Sequence, residues 1–190
     1  MKYLDISGFP VIEPEDADPE LAQRYREIQQ ETDSPTVPNS AKGVSASISC
    51  LDIYIQTVRA FNRHITLPQS IVPIILYSVA NARNCTYCST LNELHCRTLG
   101  VDEETIESLS KDLDSVSPKR LQAIIRFALK CAFTPKELIA EDYDSVRDQG
   151  VNDDELAQII LLAALANFND TIADSFKIEL EPTVLEASRK

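Results

Sequence analysis

The sequence predicts an all-α protein of about eight to nine helices. Glycine is scarce, with four in 190 residues, and no long stretch alternates β-branched and polar residues as a half-buried strand would. Apolar residues instead recur every three or four positions along most of the chain, which is the spacing of one helix face. These observations favour a bundle of helices over a sheet.

Prolines divide the N-terminal part of the chain. Residues 1–18 are acidic and contain prolines, so we predict an extended arm. Residues 33–39 read as a linker in which Pro38 can begin a helix, and Pro68 can begin another, because a first-turn residue has no intrahelical partner for its N–H. Between these breaks, apolar stripes predict helices over 19–31, 40–50, 51–65 and 68–83.

Glycines and prolines mark the helix ends in the second half. Gly100 and Gly150 lie where a helix C-cap is expected, and acidic residues that suit a helix N-terminus follow each of them. Ser117-Pro118 and Thr134-Pro135 are further breaks. These signals predict helices over 85–99, 101–109, 117–133, 136–148 and 152–176, followed by an extended, exposed tail.

The charge of the chain excludes several classes of partner. A net charge of -12 disfavours nucleic acid and anionic membranes, since both are bound through clustered Lys and Arg. The N-terminus lacks the pattern of a signal peptide, and the longest apolar run, 159–166, is too short to span a bilayer. Five cysteines without a secretory signal predict the reducing cytoplasm.

The segment Cys85-Thr86-Tyr87-Cys88 is the strongest candidate for chemistry. Two cysteines at this spacing can cycle between dithiol and disulfide, and a helix N-terminus favours the thiolate form. Asn92 lies four residues after Cys88 on the same helix face and can donate a hydrogen bond to a thiolate, but it cannot act as a base. His95 lies two turns from Cys88, about 10 Å along the axis, and is therefore not a direct partner.

Two other interpretations of the cysteine pair remain open. Buried cysteines are often only small core residues. A structural zinc site needs four ligands, commonly two such pairs, and no second pair is present, so we predict no metal. A set of polar residues within the last apolar helix could line a site, form an oligomer contact or face solvent: Asn167, Asn169, Asp170 and Asp174.

The chain resembles a known family in three segments. NARNCTYCSTLNELHCRTLGV resembles the signature of the AhpD-like, carboxymuconolactone decarboxylase superfamily. SPTVPNSAKGVSAS and the stretch from 120 to 182 resemble its peroxidase-related branch, which ends in a pattern matched here by Asn167, Ala173 and Asp174. We therefore predict an N-terminal arm and first helix over 1–34, an AhpD-like domain over 35–182 and a tail over 183–190.

The resemblance implies an all-α fold that assembles as trimers or hexamers. It also implies a dithiol that needs no cofactor, reduces hydroperoxides and receives electrons from a thiol or lipoyl donor. Cys88 would attack and Cys85 would resolve. The family's proton relay has Glu twelve residues before the first cysteine and His four after the second, and these positions hold Pro73 and Asn92.

The missing relay leaves three functions open. The first is an antioxidant peroxidase in which Asn92 orients the thiolate and Tyr77, Tyr87 or His95 partly replaces the relay. The second is an oligomeric binding protein that has lost catalysis. The third is a decarboxylase or isomerase of a small acid, with its site near Asn167 and Asp170.

Overall fold

The computed structural model describes residues 2–3, 8–32 and 34–188, and these residues are mostly helical. Lys2–Tyr3 (β1) pairs antiparallel with Pro10–Val11 (β2), and short 3₁₀ helices cover Pro14–Asp16 and Pro135–Glu137. The all-α prediction is confirmed. The α-helices of the described residues are α1 Pro19–Thr32, α2 Asn39–Val44, α3 Ile48–His64, α4 Ile71–Ala82, α5 Thr86–Thr98, α6 Glu103–Lys111, α7 Lys119–Phe133, α8 Ala140–Arg147, α9 Asp153–Phe176 and α10 Pro182–Ala187.

The helices belong to two compact units. The first unit comprises Met1–His64 and Ile172–Glu186. Its core is formed by one face each of α1, α2 and α3, and the Tyr25 hydroxyl donates a hydrogen bond of 2.9 Å to the Ile12 carbonyl. The buried residues of this core are Leu21, Tyr25, Ile28, Val37, Ala41, Val44 and Leu51.

The second unit comprises Ile65–Thr171 and Ala187–Lys190 and carries the dithiol. In it, α4 packs against α5, α6 and α7, and α7 packs against α8. This arrangement buries most of the apolar residues of α4, with Ile75 and Val79 fully enclosed, so α4 is a central element of the unit. The side-chain amide oxygen of Gln158, Oε1, accepts hydrogen bonds from the backbone N–H groups of Thr66 and Leu67, which ties the start of the unit to α9.

A reciprocal capping interaction begins α9. The Glu155 N–H donates to Asn152 Oδ1 at 3.0 Å, and the Asn152 N–H donates to a Glu155 carboxylate oxygen at 2.9 Å. Such a capping box satisfies N–H groups that have no partner inside the helix. By length and composition α9 could also cross a membrane, which differs from the expectation for the shorter run 159–166. Half of its apolar window is buried inside the fold, with Ile159 and Leu162 fully enclosed, as in the core helix of a globular protein.

The structure corrects several predicted helix ends. Cys85 lies before α5 rather than within it. The predicted helix 40–50 is divided, because α2 ends at Val44 and α3 begins at Ile48. Ser45 accounts for this break, since its hydroxyl donates to the Lys42 carbonyl and competes with helical pairing. The predicted helix 136–148 is likewise divided into a 3₁₀ turn and α8.

The arm and the tail also differ from the prediction. The tail contains α10, which starts at Pro182 and so has proline where a helix tolerates it best. The arm contains β2 and a 3₁₀ turn, while residues 1 and 4–7 lie outside the described part of the chain. Both glycine caps are confirmed, because Gly100 and Gly150 have a φ of 77°. The domain boundaries at 34/35 and 182/183 stay a prediction.

Candidate active site

A tight turn between α4 and α5 places the dithiol. Asn84 has a φ of 59°, a left-handed conformation that asparagine tolerates better than most residues. The Cys85 N–H then donates to the Ala80 carbonyl at 2.9 Å, which fixes Cys85 as the N-cap of α5. Cys88 follows in the first turn of that helix, so both sulfurs lie near its N-terminus, where negative charge is favoured.

Asp170 of α9 lies beside the two cysteines. The Sγ atoms of Cys85 and Cys88 and a carboxylate oxygen of Asp170 all lie within 4.8 Å of one another. All three residues are buried, with exposed fractions of 0%, 7% and 1%, and both cysteines are free thiols. All three belong to the second unit. The structure therefore combines a buried dithiol with a buried carboxylate.

Arg83 compensates the charge of Asp170. Its Nε lies 3.5 Å from Asp170 Oδ2, and its Nη1 donates to Asn167 Oδ1 at 3.3 Å. Asn167 Nδ2 in turn donates to the Ala132 carbonyl at 2.8 Å, which holds this amide at the end of α7. Because a buried carboxylate is costly without a cation, the arginine is an essential part of this arrangement.

The surroundings of Cys88 favour its protonated form. A hydrogen bond with the Cys85 thiol, burial of the side chain and the nearby Asp170 carboxylate together raise the pKa of Cys88 well above that of a free cysteine. The Cys88 thiol is therefore protonated at neutral pH. Any reaction that needs the thiolate must remove this proton, and Asp170 is a carboxylate within reach of it.

The other predicted site residues lie around this centre in different ways. Asn92 Nδ2 donates to the backbone carbonyl of Cys88 at 2.8 Å rather than to the sulfur, so its orienting role stays a prediction. Tyr87, which lies between the two cysteines in sequence, is buried. His95 is exposed near the end of α5. Tyr77 is buried near Cys96, and Cys96 is part of the core.

Asp170 was a candidate site residue from the sequence, but its position beside the Cys85–Cys88 dithiol was not predicted. Arg83 was not predicted as a site residue. The signal for Asp170 was a carboxylate inside an apolar helix, and of the four polar residues noted there only Asp170 is almost fully enclosed. Asp174 is exposed. The contact between Asp170 and the dithiol is made by tertiary packing, which no spacing along α5 or α9 could indicate.

Comparisons with known proteins identify the fold. No protein-family model matches the sequence, and no curated protein matches it either. Among solved structures, a peroxidase-related protein of Ralstonia eutropha with an alkylhydroperoxidase AhpD core has a TM-score of 0.83 at 18% identity, covering 96% of each chain. A peroxidase-related protein of Silicibacter sp. has a TM-score of 0.79 at 18% identity, covering 97% of this chain and 96% of that one.

A third solved structure of similar fold is that of a debrominase. The debrominase Bmp8 has a TM-score of 0.72 at 14% identity, covering 90% of this chain and 91% of that one. At these identities the likeness establishes the fold, which is AhpD-like. The resemblance predicted from the sequence is thus confirmed at the level of the fold, and the activity has to be argued from the site.

Proposed function

We propose that this AhpD-like chain reduces hydroperoxides with the Cys85–Cys88 dithiol. The observation that carries the proposal is the cluster of two buried free thiols and one carboxylate within 4.8 Å. The overall reaction consumes two thiols and one hydroperoxide, and it yields a disulfide, an alcohol and water. It needs no cofactor, since the electrons come from sulfur.

Cys88 acts first in the proposed mechanism. Its thiolate attacks the terminal oxygen of the hydroperoxide, the O–O bond breaks, and the alcohol leaves with a proton while Cys88 becomes a sulfenic acid. The Cys85 thiol then attacks the Cys88 sulfur and displaces water, which forms the disulfide. A thiol or lipoyl donor would return two electrons and two protons to complete the cycle.

Asp170 takes the proton of Cys88 in this mechanism. When the proton moves from the Cys88 thiol to the Asp170 carboxylate, a thiolate replaces the carboxylate as the negative charge. Cys88 and Asp170 together still carry one negative charge, which the Arg83 guanidinium balances. Loss of the same proton to water would instead leave two negative charges against one positive charge in a buried place, which is unfavourable. Asp170 thus supplies the base that Pro73 and Asn92 do not provide.

Steady-state turnover of an organic hydroperoxide with dithiothreitol as reductant tests the proposal. We expect Cys88→Ser to abolish turnover and Cys85→Ser to leave a sulfenic acid that is reduced only slowly. Cys50→Ser is the matched control, because Cys50 is exposed and outside the cluster, and its turnover should equal that of the unmodified protein. Unchanged turnover in both Cys85→Ser and Cys88→Ser would exclude the mechanism.

The two alternative functions predict different results. A binding protein without catalysis would give no turnover in any variant. A decarboxylase or isomerase of a small acid, with its site near Asn167 and Asp170, would keep its activity after alkylation of the cysteines. Neither explains why two free thiols and a carboxylate share one buried cluster.

A further inference from the structure

We propose that the reduced protein binds one thiophilic divalent cation, such as Zn²⁺, through Cys85, Cys88 and Asp170. The binding does not depend on peroxide reduction. It concerns the same three side chains, and a bound cation would keep the dithiol reduced by occupying both sulfurs. The sequence argued against zinc by counting ligands along one helix, and the structure adds a third ligand from α9.

The geometry suits a tetrahedral ion. With Zn–S bonds of about 2.3 Å and a Zn–O bond of about 2.0 Å, the ligand atoms of a tetrahedral site lie about 3.5–3.8 Å apart. The three candidate atoms already lie within 4.8 Å of one another. Small side-chain rotations therefore complete three corners of the tetrahedron, and the fourth remains for water or another small ligand.

Charge balance supports the same site. In the resting state the Asp170 carboxylate is balanced by the Arg83 guanidinium, whose Nε lies 3.5 Å from Oδ2. When Zn²⁺ displaces the two thiol protons into solvent, two thiolates and one carboxylate face one dication and one guanidinium. The sum is zero in both states, so the buried site exchanges two protons for one ion without a net charge.

Arg83 leaves room for the ion. Its contact is with Oδ2 of Asp170, and its Nη1 is directed to Asn167, which is itself held by the Ala132 carbonyl. The other carboxylate oxygen can turn to the metal while the guanidinium keeps its contact. Such a hydrogen bond to a ligating carboxylate is the usual second layer of a metal site and fixes the orientation of the ligand.

Titration of the reduced, chelator-treated protein with Co²⁺ under anaerobic conditions tests the inference. Cobalt reports its ligands directly, since thiolate ligands give a near-ultraviolet charge-transfer band and tetrahedral geometry gives intense visible bands. We expect one equivalent to bind with both features, and we expect Zn²⁺ to displace it. Asp170→Asn should weaken binding by about tenfold or more. Cys85→Ser and Cys88→Ser should each lower the intensity of the charge-transfer band by about half or more, because only one thiolate ligand remains.

Matched variants make each outcome decisive. Cys50→Ser and Asp174→Asn make the same substitutions as the site variants, but at an exposed cysteine and an exposed aspartate. Both variants should bind cobalt as the parent does. Three results would overturn the site: absence of the bands, a charge-transfer band of full intensity in both Cys85→Ser and Cys88→Ser, or equal affinity in Asp170→Asn with native circular dichroism. No peroxide is present in the cobalt titration, so a negative titration would not count against the proposed hydroperoxide reduction. Absence of hydroperoxide turnover would likewise not count against cation binding.

Discussion

Asp170 is the residue on which the chemistry of the cluster depends most. Burial and neighbouring groups hold the Cys88 proton in place, so a nearby acceptor must accelerate its removal. We predict that Asp170→Asn slows peroxide-dependent disulfide formation by about 10²–10⁴-fold, the usual contribution of a general base. Stopped-flow measurement of single-turnover oxidation gives this rate directly.

Asp174→Asn is the control for that experiment. It makes the same chemical change on the same helix at an exposed position, and its oxidation rate should equal that of the parent. An Asp170→Asn variant that is oxidised as fast as Asp174→Asn would show that the carboxylate takes no proton from Cys88.

The remaining cysteines should differ sharply in reactivity. Burial raises the pKa of Cys96 to about 12 and that of Cys131 to about 11, so both are almost entirely protonated at about pH 8. Cys50 is exposed. We predict that iodoacetamide modifies Cys50 first in the native reduced protein, as measured by peptide mass spectrometry. Equal modification of Cys96 and Cys50 would contradict this assignment, and unfolding should make all five cysteines reactive.

At the scale of the element, the capping box of α9 is predicted to stabilise the helix that carries Asp170. Asn152→Ala should lower the free energy of unfolding by about 1 kcal/mol, since it leaves the Glu155 N–H without its acceptor. Chemical denaturation measures this change. Asn62→Ala, the same substitution at an exposed position within α3, is the control and should cost little. Equal stability of the two variants would show that the cap contributes nothing.

The same cap predicts a pH dependence. The Asn152 N–H and, next, Arg120 lower the pKa of Glu155, so the folded state binds its proton less readily than the unfolded state. The resulting stability is fully present above the unfolded pKa, about 4.3, and is lost as pH falls through the lowered folded value. Glu155→Gln should therefore be destabilised at neutral pH and approach the parent in acid. A difference that grows in acid would contradict this sign.

At the scale of the whole molecule, assembly remains a prediction. The resemblance implies trimers or hexamers, and large apolar side chains are exposed on the isolated chain, among them Ile53 at 62% and Leu161 at 54%. We expect light scattering coupled to size exclusion to report an oligomer. A monomer at every tested concentration would exclude it, and an oligomer would leave these side chains as the first candidates for the contact.

The fold was predictable from the sequence to a large extent because helical periodicity and capping are local. The glycine caps and the start of α9 followed from three or four neighbouring residues. The cysteine pair was also predictable, because its spacing involves only four consecutive residues. Its carboxylate partner was not, because the position of Asp170 beside Cys88 results from how α9 packs near α5 in the same unit. No sequence pattern indicated the contact of Arg83 with Asp170.

Mapping of disulfides after oxidation decides whether Cys85 and Cys88 form a redox pair. Reduced protein would receive one equivalent of organic hydroperoxide, be quenched by acid and alkylated, and be digested for mass spectrometry. We expect one intramolecular Cys85–Cys88 disulfide, formed within the first turnover, with Cys50, Cys96 and Cys131 recovered as alkylated thiols. Cysteines 85 and 88 recovered as alkylated thiols, with the peroxide unconsumed, would contradict it.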